Sequence, residues 1–245
     1  MILITRPAEW TNRFKKKLEA LGCEVIPFPT LSILPPADPV PLDSAINFLD
    51  AFDAAIFISP SSVSEFLKKH RPLYFSEQCK IIALGEGTAN CLERANIHVD
   101  LYPVIANTRH LLALPLFSNI QEKRVVIFAG EKGRTDLKET LEKQGAKIHM
   151  AYTHRRARPS YSPQEVTWQP DDVALSINLS LESLQNLRTI LGEIHRLKLL
   201  EKPLLVVSEA MKEAAQQLGF SGAIIVAADA TESSLINEVS RIFKI

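Results

Sequence analysis

The sequence predicts an α/β fold of two parallel-sheet lobes, flavodoxin-like or Rossmann-like, and three observations predict it. Short apolar runs alternate with segments of helical period along the chain. The runs are hydrophobic almost throughout, as strands covered on both faces must be. The order of units also repeats once, the mark of an internal duplication.

The first unit is "MILITRP" followed by "EWTNRFKKKLEALG", in which Trp10, Phe14, Leu18 and Leu21 share one helical stripe and Gly22 supplies the stop. Further strands begin at "AAIFISP", "KIIALGEG", "RVVIFAGEKG", "DVALSIN" and "PLLVVSE". The first unit, "ILITRPAEWTNRFKKKLEALGCEVIPF", parallels "VVIFAGEKGRTDLKETLEKQGAKIHMAY", with Gly22 and Gly145 ahead of Val25 and Ile148. "DAAIFISPSSVSEFL" parallels "DVALSINLSLESLQNL", and "KIIALGEGTANCLERANI" parallels "KPLLVVSEAMKEAAQQLGF".

Proline marks the joints. "LPPADPVP" follows the first unit and "RARPSYSP" follows the fourth. Proline donates no ladder hydrogen bond and holds the preceding residue extended, so these stretches read as connectors. The expected division is a discontinuous lobe of residues 1–34 plus 162–245, a continuous lobe of 40–153, and linkers at 35–39 and 154–161. Two side-by-side crossings permit a hinge but limit twisting.

Composition narrows the function. The 245 residues are 46% apolar and 23% charged, an ordinary globular balance. Lys+Arg equals Asp+Glu at 28 each, which argues against a nucleic-acid or membrane partner, since both select a broad basic field. Any anionic ligand must then be met locally. No apolar run approaches the roughly 20 residues that span a bilayer, and "MILITRP" has no signal-peptide form, so a cytoplasmic protein is expected. Cys23, Cys79 and Cys91 are isolated, and the histidines show no ligand spacing, so no metal site is expected.

Ligands of open parallel sheets bind beyond the carboxyl ends of the strands. There the sequence puts Thr5-Arg6, Ser59 to Ser62, Gly85 to Thr88, Gly130 to Arg134, Asn178 to Ser180, and Ser208-Glu209. Hydroxyls and backbone amides suit an anionic or carboxylate-rich ligand. "GEGTAN" has Asn90 where a dinucleotide fingerprint needs a third glycine, and "GEKGRTD" lacks the Gly-Lys-Ser/Thr of a P-loop. Thr88, Ser61, Ser62 and Ser208 equally suit helix N-caps. An enzyme built this way works mainly by positioning, with weak acid help from a hydroxyl, phenol or imidazole.

"ILITRP", "FISPSSV", "ALGEGTANCL", "GEKGRTDLKETLEKQGAKI", "HRRARP" and "LLVVSE…A…LGF" together resemble uroporphyrinogen-III synthases, in order and spacing, over nearly the whole chain. The resemblance implies two α/β lobes on a two-stranded linker, with a cofactor-free cleft between them. The implied substrate is hydroxymethylbilane, a linear tetrapyrrole with eight carboxylates. Loss of its hydroxyl, spiro attack by the last pyrrole and reclosure with ring D inverted would give uroporphyrinogen III. It also leaves room for transient contact with the preceding pathway enzyme.

The residues carried over as substrate-binding are Arg6, Ser59, Ser61, Gly85, Thr88, Gly130, Arg134, Ser180 and Ser208. The catalytic candidates are Tyr152 and His154, for acid assistance to hydroxyl loss. His154 stands where the family commonly has tyrosine, and in a regular strand Tyr152 would share its face. The family's common Thr-Ser is Leu179-Ser180 here. The alternative is a two-lobed protein that closes on an anionic small molecule without chemistry; a nucleotide-dependent oxidoreductase is disfavoured by the broken fingerprint.

Overall fold

The computed structural model describes residues 1–69, 74–133, 136–161 and 166–245. The chain forms two compact units, Met1–Ser32 with Ala157–Ile245, and Ile33–Arg156. In chain order, β1 (Ile2–Ile4), α1 (Ala8–Glu19) and β2 (Val25–Pro27) come first. β3 (Ser32–Leu34), α2 (Val40–Asn47), β4 (Ala54–Phe57) and α3 (Pro60–Lys69) follow. Next are β5 (Lys80–Ala83), α4 (Glu86–Glu93), α5 (Thr108–Leu112), β6 (Arg124–Gly130), α6 (Asp136–Lys143) and β7 (Lys147–Ala157). The chain then adds β8 (Leu175–Ile177), α7 (Leu181–Ile190), α8 (Glu193–Leu200) and β9 (Leu204–Val206). It ends with α9 (Glu209–Gln217), β10 (Ile224–Val226) and α10 (Glu232–Phe243).

In the first unit the sheet order is β10-β9-β8-β1-β2, and each neighbouring pair is parallel. Counted along this unit's own chain, that is the flavodoxin order, whose direction of winding reverses between β1 and β8. β1 and β8 are buried throughout, which explains their unbroken apolar sequences. Leu3, Leu204, Leu184 and Met211 fill one face of the sheet, and Ile2, Ile4, Phe14 and Val239 fill the other. Each such large side chain contributes about 1.5–3 kcal/mol by leaving water. Gly22 closes α1 at φ +82, the left-handed conformation a side chain would resist.

The second sheet has the order β3-β7-β6-β4-β5, with β4, β5, β6 and β7 paired in parallel. With β6 counted as the first strand, β7-β6-β4-β5 repeats the order of the first unit. Leu101, bridged in parallel to Ile82, stands in the place of the outermost strand. Winding reverses here between β6 and β4. Phe57, Phe66, Phe128 and Ala151 pack on one face, and Ile56, Ile127, Ala129 and Leu141 on the other. The repeated halves have therefore exchanged their first βα unit, which is why proline breaks follow the first and fourth units rather than the third.

The crossings lie at Ser32–Ile33 and Arg156–Ala157, beside the expected linker at 35–39 in the first case and within the expected 154–161 in the second. The first difference has a physical cause. Residues 32–34 keep their amides available for pairing until Pro35, and β3 becomes the edge of the second sheet beside β7. Likewise His154, Arg155 and Arg156 belong to β7 itself, not to a segment after it.

Candidate functional site

In the first unit Arg6, Ser180 and Ser208 follow the adjacent strands β1, β8 and β9, so the fold brings all three to one end of the sheet. Arg6 and Ser180 flank the point where winding reverses, the usual ligand position of this topology. Ser180 caps α7, accepting from the Ser183 amide at 3.1 Å, and Ser208 caps α9, accepting from the Met211 amide at 3.2 Å. A capping hydroxyl uses a lone pair and keeps its own proton to donate, so capping and anion binding are compatible.

Arg6 turns back over its own unit. Its guanidinium carbon lies 5.8 Å from the centroid of the Phe14 ring, and its Nη1 is buried with no hydrogen-bond partner among the described residues. Burial pulls its pKa below the ordinary arginine range, opposed by the field of Glu232. A buried guanidinium nitrogen without a partner is costly, and an anion brought to it would relieve that cost.

Beneath Ser180 lies a hydroxyl network that sequence reading missed in part. Thr5 Oγ1 approaches Asn178 Oδ1 at 2.9 Å and Ser183 Oγ at 2.8 Å, and Thr30 Oγ1 lies 2.7 Å from Ser183 Oγ. Thr30 Oγ1 also donates to the Ser183 carbonyl at 3.0 Å, and Asn186 Nδ2 to the Thr30 carbonyl at 2.9 Å. These groups tie the ends of β1, β2 and β8 to the first turn of α7. The only sequence signal was polar residues directly after apolar runs.

In the second unit Ser59 and Ser61 follow β4, Gly85 and Thr88 follow β5, and Gly130 ends β6. Arg134 lies outside the described residues. The Ser59 amide donates to Ser62 Oγ at 3.0 Å and the Ser62 amide to Ser59 Oγ at 3.1 Å, so these two serines close the start of α3. Ser61 is buried, and its hydroxyl makes no hydrogen bond among the described residues.

Thr88 is not the N-cap of α4. That position belongs to Gly85, which brings no capping side chain, so the amides of Glu86 and Gly87 stay open. Thr88 stands on the third helical residue, 4% exposed, with a hydroxyl unpaired among the described residues. The need for glycine at 85 is steric. A β-carbon there would collide with Ala106 Cβ, whereas one at Gly87 would meet nothing within 4 Å. Gly130 likewise has a packing reason, since its β-carbon would lie 2.9 Å from His154 Nε2.

Tyr152 and His154 do not share a face. The β6–β7 register pairs Ala129 with Tyr152 and Gly130 with His154, so Thr153 is a bulged extra residue. Tyr152 therefore follows Met150 toward the face of Ile127 and Ala129, and His154 turns to the face of Phe128 and Ala151. His154 is 1% exposed, with Nδ1 2.9 Å from Thr153 Oγ1. Tyr152 is half-buried, and its hydroxyl has no hydrogen-bond partner among the described residues. On its face Met150, Ile58, Leu84, Thr108 and Gly133 line a small pocket at the strand ends.

Taken by unit, both sheets offer hydroxyls where ligands of this topology bind, and the second adds an open helix N-terminus and a half-buried phenol. Among the described residues, no group of three or more His, Cys, Asp or Glu side chains is placed to hold a metal ion, and no helix is long and apolar enough to cross a membrane. The arrangement can hold several carboxylates and supply one weak acid.

Residues 12–237 match the family model for uroporphyrinogen-III synthase HemD. The uroporphyrinogen-III synthase of Escherichia coli (strain K12) is 29% identical over 248 residues, covering 96% of this chain and 98% of the relative. That of Salmonella typhimurium has the same identity and coverage. Among solved structures, the uroporphyrinogen-III synthetase of Helicobacter pylori 26695 superposes with a TM-score of 0.62 at 14% identity, over 98% of both chains. A mutant uroporphyrinogen III synthase of Thermus thermophilus superposes at 0.61 and 14%, over 99% of this chain and 98% of its own. At such identities these structures speak for the fold.

Proposed function

The chain belongs to the uroporphyrinogen-III synthase family, and from that premise we propose that it cyclises hydroxymethylbilane to uroporphyrinogen III, inverting ring D and releasing water. The observation behind the residue assignment is that hydroxyls stand beyond the strand ends in both units, joined by Arg6 in the first and by the open α4 amides after β5 in the second.

That poverty suits the reaction. The bilane closes unaided to the uninverted isomer, so the enzyme's task is to select the conformer in which the hindered carbon of ring D attacks. Selecting a conformer is an entropic task, done by anchoring the carboxylate arms. Ser61, Thr88 and the α4 amides serve as anchors in the second unit, and Ser180 and Ser208 in the first, with Arg6 a reserve of positive charge beside them. Ser59 holds the first turn of α3 so that Ser61 is presented.

Tyr152 is the acid assigned to hydroxyl departure. The carbon–oxygen bond breaks, the phenol donates the proton that lets the oxygen leave as water and becomes phenolate, and the pyrrole nitrogen supplies the electron pair that makes the protonated azafulvene. His154, buried and engaged by Thr153, acts through position: its imidazole packs on Gly130, on the face to which the bulge at Thr153 turns it, and leaves the face of Tyr152 to the phenol. The last pyrrole then attacks through its substituted carbon, and the spiro intermediate fragments and recloses through the free α-carbon with ring D inverted, the proton that carbon loses returning to the phenolate.

A cytoplasmic setting and a transient handover from the enzyme that makes the bilane belong to the same proposal, because a substrate that cyclises unaided has to be captured early. Incubation with freshly generated hydroxymethylbilane, with separation of the type I and type III products, tests the reading. Tight binding of the bilane without turnover would favour a binding protein instead.

A further inference from the structure

Beside the Gly85 turn lies an apolar feature that carboxylate anchoring does not use. After Leu101 bridges to Ile82, the chain runs through Tyr102-Pro103-Val104-Ile105-Ala106 before α5 begins. Pro103 is buried and pins the segment, while Tyr102 is 46%, Val104 100% and Ile105 54% exposed. Solvent-facing large apolar residues this close together in a short loop are a cost unless something covers them. Ala106 sits directly on Gly85, close enough to exclude a side chain there, and the Ile105 carbonyl accepts from the Asn107 amide at 2.9 Å to hold the bend. Thr108, at the end of the same segment, lines the pocket that includes Leu84 and Met150.

The neighbouring turn is a place for an anion. The α4 amides have no capping side chain, Thr88 is nearly buried with an unpaired hydroxyl among the described residues, and the space beside Gly87 is open. An anion site clamped to an apolar rim fits one ligand chemistry, a flat apolar ring with a carboxylate arm. Resting on the function proposed above, we infer that Tyr102, Val104 and Ile105 form a rim that seats one pyrrole ring of the bilane while its carboxylate is held by Thr88 and the α4 amides. The rim is a specificity element: the carboxylates recur on all four rings, and ring contact restricts which conformer can be held.

The test compares wild type with the Val104→Ser/Ile105→Ser double variant, using freshly generated hydroxymethylbilane. KM should rise by about tenfold, at the low end of what lost apolar contact in a binding site costs, and the type I fraction should rise. The thermal midpoint should stay unchanged, because the residues are exposed. Val104→Ile/Ile105→Val, which keeps the surface apolar, should restore both values. Val104→Thr, isosteric at a fully exposed position, keeps the test open should the double variant melt early; it should raise KM in the same direction. Unchanged KM and isomer ratio in Val104→Thr and the double variant, with wild type forming type III, would overturn the rim. Type I alone from wild type would overturn the function reading beneath it.

Discussion

The imidazole of His154 occupies the space a side chain on Gly130 would need: a β-carbon there would stand 2.9 Å from Nε2 and 3.2 Å from Cε1. One residue is glycine because the other is a buried ring. Gly130→Ala should therefore displace His154 and cost about 1–3 kcal/mol by overpacking. Replacing His154 with Ala in that background should recover part of the loss, a non-additivity that a double-mutant cycle by chemical denaturation measures.

The bulge at Thr153 separates the roles of its neighbours. Tyr152→Phe keeps the ring and removes the proton, so kcat should fall by about a hundredfold, as for loss of a general acid, with little change in melting temperature. His154→Gln should mainly lower stability. A kcat loss in His154→Gln at unchanged stability, with kcat retained in Tyr152→Phe, would show that the imidazole rather than the phenol carries the proton.

Ser180 and Ser208 are helix caps as well as proposed anchors, and aspartate distinguishes the two roles. Asp is as good a cap as Ser and adds a favourable charge at a helix N-terminus. Ser180→Asp and Ser208→Asp should hold or raise the melting temperature. Both should raise KM by about tenfold, a modest value for bringing like charges together. Wild-type KM in both would leave the serines as caps only.

Much of this was legible in the residues. The apolar runs at Ile2–Ile4, Ala54–Phe57, Lys80–Ala83, Arg124–Gly130, Leu175–Ile177 and Leu204–Val206 are strands, because a strand covered on both faces can hardly be written otherwise. The glycines were harder. Gly85 and Gly130 read as ligand turns, yet each admits a residue about twenty positions away, Ala106 and His154. The bulge was illegible for a related reason: it exists only in the register against β6. The cap that Thr88 suited as one of two readings shows the same limit, since backbone geometry places the cap at Gly85. Elements follow from local pattern, whereas close approaches follow from tertiary packing.

Asp53 accepts from the Arg124 amide at 2.8 Å and from Lys123 Nζ at 3.2 Å, and its pKa is lowered chiefly by that amide bond, against a partial desolvation. A carboxylate depressed in the folded state stabilises above its unfolded pKa of about 3.9, and that contribution is lost as pH falls through the folded value. Asp53→Asn should thus melt below wild type at pH 7, and the two curves should converge under acid. A constant gap across pH would mean that the loss is one of packing rather than charge.

On the function proposed, anchoring of a flexible bilane, rather than strong acid–base chemistry, directs ring D inversion. Isomer analysis of Tyr152→Phe beside wild type, with freshly generated hydroxymethylbilane, separates the two. Wild type should give type III. The phenylalanine variant should be slower yet still give type III in the product that forms on the enzyme, because the anchors remain. Type I alone from wild type would contradict the function, and a variant that turns over but releases mainly type I would contradict the separation of anchoring from acid catalysis.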